Sequence, residues 1–182
     1  MTTQIALLRA VNVGGTGKIA MADLREFMVA LGFGEVRTLI QTGNIVFEID
    51  TRSGAELETF LEEEALKRLS LDTTFIIRTP DEWEAAIKAN PFADKARDDP
   101  RRLLVMALKD EPSAGNVAGL KEFYTGPEPF EAVGRQLYID YLEGSGNSKL
   151  TNVLIERKLE TRGTARNWNT VLKIADMARG QQ

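Results

Sequence analysis

The chain contains no cysteine and no histidine in 182 residues. The first absence excludes a Cys nucleophile, the second a Ser-His-Asp triad, and together they remove every His- or Cys-ligated zinc site. Any activity must therefore rest on carboxylates, Lys, Arg, amides and hydroxyls, no metal ligand set is expected, and no cofactor can be named. A chain without thiols has no redox requirement, which fits a reducing compartment without demanding one. Apolar runs long enough to span a membrane are also missing, as is a basic segment followed by an apolar one at the start. No membrane partner is expected, and the cytoplasm is the default location.

Charge is segregated along the chain behind a formal total of −4. Residues 144–182 carry Lys149, Arg157, Lys158, Arg162, Arg166, Lys173 and Arg179 against Glu156, Glu160 and Asp176, a net +4. Residues 1–47 are near neutral, so the acidic excess lies in the middle, and an anionic partner would seek the ends. Taken alone, a basic excess of this size is ordinary solvated surface.

Hydrophobic spacing gives the order of elements. Gln4 to Arg9 reads as a strand apolar on both faces, which suits a central position with both sides covered. Ala20 to Leu31 is a helix with Met21, Leu24, Phe27, Met28 and Leu31 in phase, stopping at Gly32. Strands at Glu35 to Ile40 and Asn44 to Ile49, a helix at Ser53 to Leu69 and a strand at Thr74 to Arg78 complete β-α-β-β-α-β, the ferredoxin-like unit, over residues 1–79. A connecting helix (Asp81 to Ala89) and a Pro- and charge-rich linker occupy residues 80–101.

Residues 102–182 read as a second, incomplete βαββ copy. It has strands at Arg102 to Leu108, Pro129 to Val133 and Gln136 to Leu142, the last two turning at Gly134, and a short helix at Ala114 to Tyr124. Two helices, Lys149 to Leu159 and Ala165 to Ala178, end the chain where a fourth strand would belong. The expected class is α+β, as two units or one compact domain.

In a ferredoxin-like unit the end of the first strand, the start of the first helix and the turn between strands two and three share one edge. Arg9, Asn12 and Gly14-Gly15 should therefore lie beside Gln41, Thr42 and Asn44. Loop glycines permit close backbone approach, and an adjacent helix N-terminus adds positive potential. Gly43-Asn44 also has a sufficient explanation as a hairpin turn.

Several motifs fail on spacing. Gly14-Gly15-Thr16-Gly17-Lys18 is not a Walker A loop, because Asn12 stands where Gly is needed and Ile19 where Ser or Thr is needed. Gly43 to Phe47 lacks the exposed aromatics of an RNA-binding strand, since Phe47 is in phase with Ile45 and Ile49 and points to the core. Neither Ser145 nor Ser148 makes Ser-x-x-Lys with Lys149.

Near the C-terminus, Ser148 is placed to cap a helix from Lys149, and Thr164 one from Ala165. On that last helix Trp168, Val171, Leu172 and Ala175 would share the core face. Arg166, Asn169, Thr170 and Lys173 would lie opposite, a set of donors suited to phosphate or carboxylate.

Leu8-Arg9-Ala10-Val11-Asn12-Val13-Gly14-Gly15, Ile40-Gln41-Thr42-Gly43-Asn44-Ile45-Val46-Phe47, Ser148-Lys149-Leu150-Thr151-Asn152 and Thr164-Ala165-Arg166-Asn167-Trp168-Asn169-Thr170-Val171 resemble the hallmark segments of the domain of unknown function 1697 family. Ala10 and Thr42 stand where Gly and Ser are expected. The resemblance spans nearly the whole chain and implies a compact α+β protein related to ferredoxin-like units. It supplies no reaction.

The leading functional expectation is a site for a phosphate-bearing ligand, nucleotide or nucleic acid, built from the N-terminal edge and the C-terminal helices. Arg9, Lys149 and Arg166 would hold the anion. Thr42 and Ser148 would add hydroxyls, and Asn12, Gln41, Asn44, Asn152, Asn167 and Asn169 would read polar groups through amides that both donate and accept. One alternative is an enzyme for a small anionic substrate with Lys149 as base or electrostatic catalyst beside Asp140 or Tyr141. The other is a protein-interaction module with a flat apolar patch.

Overall fold

The computed structural model describes residues 1–12 and 17–180. The elements run β1 (Thr2–Leu8), α1 (Met21–Ala30), β2 (Gly34–Leu39), β3 (Asn44–Ile49), α2 (Gly54–Leu69), β4 (Phe75–Arg78), α3 (Pro80–Lys88), α4 (Ala93–Asp98), β5 (Leu103–Leu108), α5 (Ala114–Phe123), β6 (Phe130–Val133), β7 (Gln136–Asp140), α6 (Asn152–Leu159), β8 (Gly163–Asn167) and α7 (Trp168–Ala178). A 3-10 turn at Ser145–Asn147 precedes α6. Two compact units emerge, residues 1–84 with 173–182, and residues 85–172.

The first unit is an antiparallel sheet in the order β2-β3-β1-β4. Leu7 lies opposite Asn44 and Ile76, and Leu8 opposite Phe75. One face of the sheet, carrying Ala6, Leu8, Ile45, Phe47, Phe75 and Ile77, packs on Leu24, Phe27 and Met28 of α1 and Leu57, Leu61 and Ala65 of α2. The other row, Ile5, Leu7, Val46 and Ile76, is also buried, so the central strands are apolar on both faces as their sequence requires. The end of α1 follows from Gly32, whose φ of +87° suits the residue just after the last helical turn, and its N–H bonds Val29 O at 2.9 Å.

The second unit repeats this plan. Its sheet runs β6-β7-β5-β8, and Met106, Leu108, Leu137, Ile139 and Tyr141 pack on Leu120 of α5 and Ile155 and Leu159 of α6. The fourth strand is present. Residues 163–167, whose second half was expected to start a helix at Ala165, pair with β5 from Leu108 opposite Gly163 to Leu104 opposite Asn167. Ala165 and Arg166 favour helix locally, and distant pairing to a buried strand overrides that preference.

Gly163 is required in this pairing, because a Cβ there would sit 2.7 Å from the Met106 methyl and 2.9 Å from Ala107 O. The helix begins instead at Trp168, with Asn167 Oδ1 accepting from Thr170 N at 3.0 Å. Its buried residues are Trp168, Thr170, Val171, Ile174 and Ala175, while Leu172, expected on that face, is 39% exposed. Likewise α6 starts at Asn152 rather than Lys149, and Thr151, not Ser148, is its cap, accepting from Leu154 N at 3.2 Å.

Because the strand orders match, the connections of the two units can be compared one by one. At the edge where the first strand ends, the first unit has the longer chain: 9–20 against 109–113, 40–43 against 134–135, and 70–74 against 160–162. At the opposite edge the second unit has the longer chain: 124–129 against 31–33, and 141–151 against 50–53. The fold closes with short connections in both places, so the additions mark where each copy has been built out.

Candidate functional site

Each built-out edge carries a cleft. In the first unit it measures about 510 Å³ and is lined by Asn12, Lys18, Ala20, Asp23 and Gln41 with Leu69 and Leu71. The expected meeting of the loop after β1 with the β2–β3 turn is observed. Asn12 Nδ2 donates to Gln41 O at 2.9 Å and to Ile19 O at 2.8 Å, and its Oδ1 accepts from Ile19 N at 2.9 Å. Leu8 N donates to Gly43 O at 2.8 Å.

These bonds occupy the amide of Asn12, a residue in the left-handed region at φ +55° that Asn tolerates better than most. Asn44 is fully buried, and its Nδ2 donates to Leu39 O at 2.9 Å and to Thr42 Oγ1 at 3.2 Å. Arg9 is half-buried, with its backbone tied to Thr73 and Thr74. Asn12, Thr42 and Asn44 thus hold the loops together, and the Gln41 side chain is exposed beside the cleft. Gly14-Gly15 lies outside the described residues.

In the second unit the cleft is about 710 Å³, in the range usual for small-ligand sites. Its walls come from the two lengthened connections and α6: Phe123 and Tyr124 at the end of α5, Glu128 before β6, Asn147, Ser148 and Lys149 before α6, and Arg157 on α6. Among the described residues neither Lys149 nor Arg157 has an ion-pair or hydrogen-bonding partner for its side chain. Lys149 and Arg157 are both exposed.

Facing them is a fixed polar group. The Tyr124 hydroxyl donates to Glu128 Oε2, and the Ser148 hydroxyl reaches both side chains while accepting from Leu150 N at 3.0 Å. Burial pushes the Glu128 carboxyl up, but hydrogen bonds from Tyr124, Ser148 and its own backbone outweigh that and hold it below its ordinary range. Burial, with Glu128 beside it, raises the Tyr124 phenol. The cleft therefore presents the Glu128 carboxylate with set orientation, a second acidic side chain at Glu143, two cations, hydroxyls and ring surface. Tyr124, Glu128 and Arg157 were missed from sequence. The signal was the Tyr124-Thr125-Gly126-Pro127-Glu128 turn, in which Gly126 leaves room for the Tyr124 ring to fold back.

The remaining expected residues fall elsewhere. Arg166 is on β8 rather than on a helix face, is 7% exposed, and donates through Nη1 to Thr164 Oγ1 at 2.7 Å and to Ala165 O at 2.8 Å. Burial lowers its guanidinium to about 10. Asn152 is exposed at the first turn of α6, and Asn167 and Asn169 are half-buried around the start of α7. Asp140 pairs with Lys95 at 3.1 Å, and the Tyr141 hydroxyl donates to Leu150 O at 2.6 Å. Among the described residues no cluster of carboxylates could hold a metal ion, and no helix is long and apolar enough to cross a membrane.

A family described as "Protein of unknown function (DUF1697)" matches residues 1–138. No curated protein matches the chain. Among solved structures, a conserved bacterial protein, SP0830 from Streptococcus pneumoniae, is similar over 97% of this chain and 98% of its own, with 24% identity and a TM-score of 0.73. That likeness is one of fold.

Proposed function

The chain belongs to the DUF1697 family of uncharacterised proteins, and from the geometry of its second unit we propose that it binds a phosphate-bearing ligand, nucleotide or nucleic acid. The observation that carries this reading is the pair Lys149 and Arg157, cations without partners among the described residues, on the wall of a cleft of about 710 Å³. A point ammonium and a planar guanidinium are the usual holders of phosphate, and Ser148 and Asn147 add neutral donors beside them.

Of the residues expected from sequence, Ser148 and Lys149 belong to this site. Arg166, Asn12 and Asn44 serve as frame, because their polar atoms are engaged within their own units. The enzymatic alternative loses the helpers it named for Lys149, since Asp140 pairs with Lys95 and Tyr141 is bonded to Leu150.

Calorimetric titration with pyrophosphate at low and moderate salt tests the reading. Binding to wild type should weaken with salt, and should fall about tenfold or more in Lys149→Ala and in Arg157→Ala. Equal binding by wild type and both variants would sink it.

A further inference from the structure

We propose that the ligand of this cleft is a single ribonucleotide, with Glu128 reading a sugar hydroxyl and Phe123 its base. The inference rests on the phosphate reading above and adds two observations to it. The first is Glu128. A carboxylate inside an anion site is repulsive toward phosphate, yet here its placement is reinforced by the Tyr124 and Ser148 hydroxyls, which hold it ionised. An ionised carboxylate has about four lone-pair positions, so with its own backbone N–H also bonded to it about one remains. What it can accept from a ligand is a donor. Lys149 and Arg157 share the walls with Glu143, so the two cations face two acidic side chains, and a neutral donor suits Glu128 without upsetting that balance. A neutral hydroxyl next to a phosphate meets both demands, and the sugar of a ribonucleotide supplies one on a rigid ring.

The second observation is Phe123. It lines the cleft, is 53% exposed, and carries the Lys158 ammonium 3.8 Å from its ring centroid. With the cation over one face of this exposed ring, the other face is the one to take a flat aromatic base, a stacking worth about 1–3 kcal/mol. Anion holders, a hydroxyl acceptor and a ring occur together at the edge that the first unit leaves short, with 31–33 and 50–53 in place of 124–129 and 141–151. Folding does not need these additions, and the volume of about 710 Å³ suits one nucleotide.

The experiment is calorimetric titration of the full chain with ADP, 2′-deoxy-ADP, ribose 5-phosphate and pyrophosphate. Wild type should bind ADP at least tenfold more tightly than 2′-deoxy-ADP. In Glu128→Gln that ratio should fall below twofold while pyrophosphate binds as well or better, and Phe123→Ala should weaken ADP while leaving ribose 5-phosphate unchanged. Equal affinity of wild type for ADP and 2′-deoxy-ADP, with pyrophosphate bound, would overturn the ribonucleotide assignment and leave the phosphate reading standing. Binding of none of the four would overturn both. The ADP and deoxy comparison uses only wild type, so it stands even if a variant fails to fold.

Discussion

Arg78 and Arg166 hold the same position in the two sheets. Arg78 lies opposite Ile5 on β1 and Arg166 opposite Val105 on β5, each three residues beyond the pairs Leu8–Phe75 and Leu108–Gly163. Each donates through Nη1 to the carbonyl just before it, Ile77 O and Ala165 O, at 2.8 Å. Both are buried, at 0% and 7% exposure. Each unit thus carries a buried guanidinium at the matching place on its fourth strand, while the connections differ in length.

Such a residue supports the fold. Arg78→Ala and Arg166→Ala should each lose roughly 3–5 kcal/mol in urea unfolding, because the change leaves a cavity and strands the groups the guanidinium served. Arg78→Met and Arg166→Met should lose less, since they refill volume without burying charge. Wild-type stability in Arg166→Ala would refute the structural role and restore Arg166 as a candidate ligand holder.

The turn after β2 offers a cleaner comparison of strain with overlap. Gly32 and Gly43 both have positive φ, +87° and +74°. A Cβ on Gly32 would meet nothing within 4 Å, whereas one on Gly43 would sit 2.7 Å from the Leu8 Cβ. Gly32→Ala should therefore cost only the backbone term, about 1 kcal/mol. Gly43→Ala should cost about 1–3 kcal/mol more, as overpacking does. Equal losses in denaturant melts would mean that the turn and β1 yield freely.

Much of the first unit was legible because its signals are local and agree. The helical phase of Leu24, Phe27 and Met28, the alternation of β3 and the stop at Gly32 each predict an element that tertiary pairing then accepts. The fourth strand of the second unit was not legible. Thr164-Ala165-Arg166 has no alternation strong enough to oppose its helix preference, and its partner β5 lies more than fifty residues earlier. The cleft was half legible. Ser148 and Lys149 announce themselves in a polar run, but Tyr124 and Glu128 gain meaning only when the chain folds back through Gly126 and meets Ser148.

All three tyrosines of the chain, Tyr124, Tyr138 and Tyr141, have raised phenols, and burial is the first cause in each. Tyr138, whose hydroxyl donates to Ala86 O at 2.6 Å, is pushed up to about 12 from 10.0. A folded-state value above the unfolded one gives stability that is complete below pH 10 and is lost as pH rises toward 12. Arg166, lowered from 12.5 to about 10, acts in the opposite sense over an overlapping window. With two buried phenols against one such guanidinium, stability should fall over that interval. Absorbance of phenolate should then rise steeply with alkaline unfolding, while the urea-unfolded chain titrates near 10. A folded protein that ionises all three tyrosines near pH 10 would contradict this.

Gly126 separates Tyr124 from the other two. An added Cβ would overlap the Tyr124 ring and hydroxyl, which is the far end of a flexible side chain, so Gly126→Ala should swing the ring away from Glu128 with little loss of stability. Freed from burial and from the carboxylate, the Tyr124 phenol should return toward its ordinary value, and one tyrosine equivalent should titrate near pH 10 before unfolding begins. Glu128 would lose the hydrogen bond that helps hold it down and should move up in turn. Because Lys149 and Arg157 are untouched by the change, pyrophosphate should still bind, while discrimination between ADP and its 2′-deoxy analogue should shrink. Retention of full discrimination alongside a displaced Tyr124 would show that Glu128 is oriented without it.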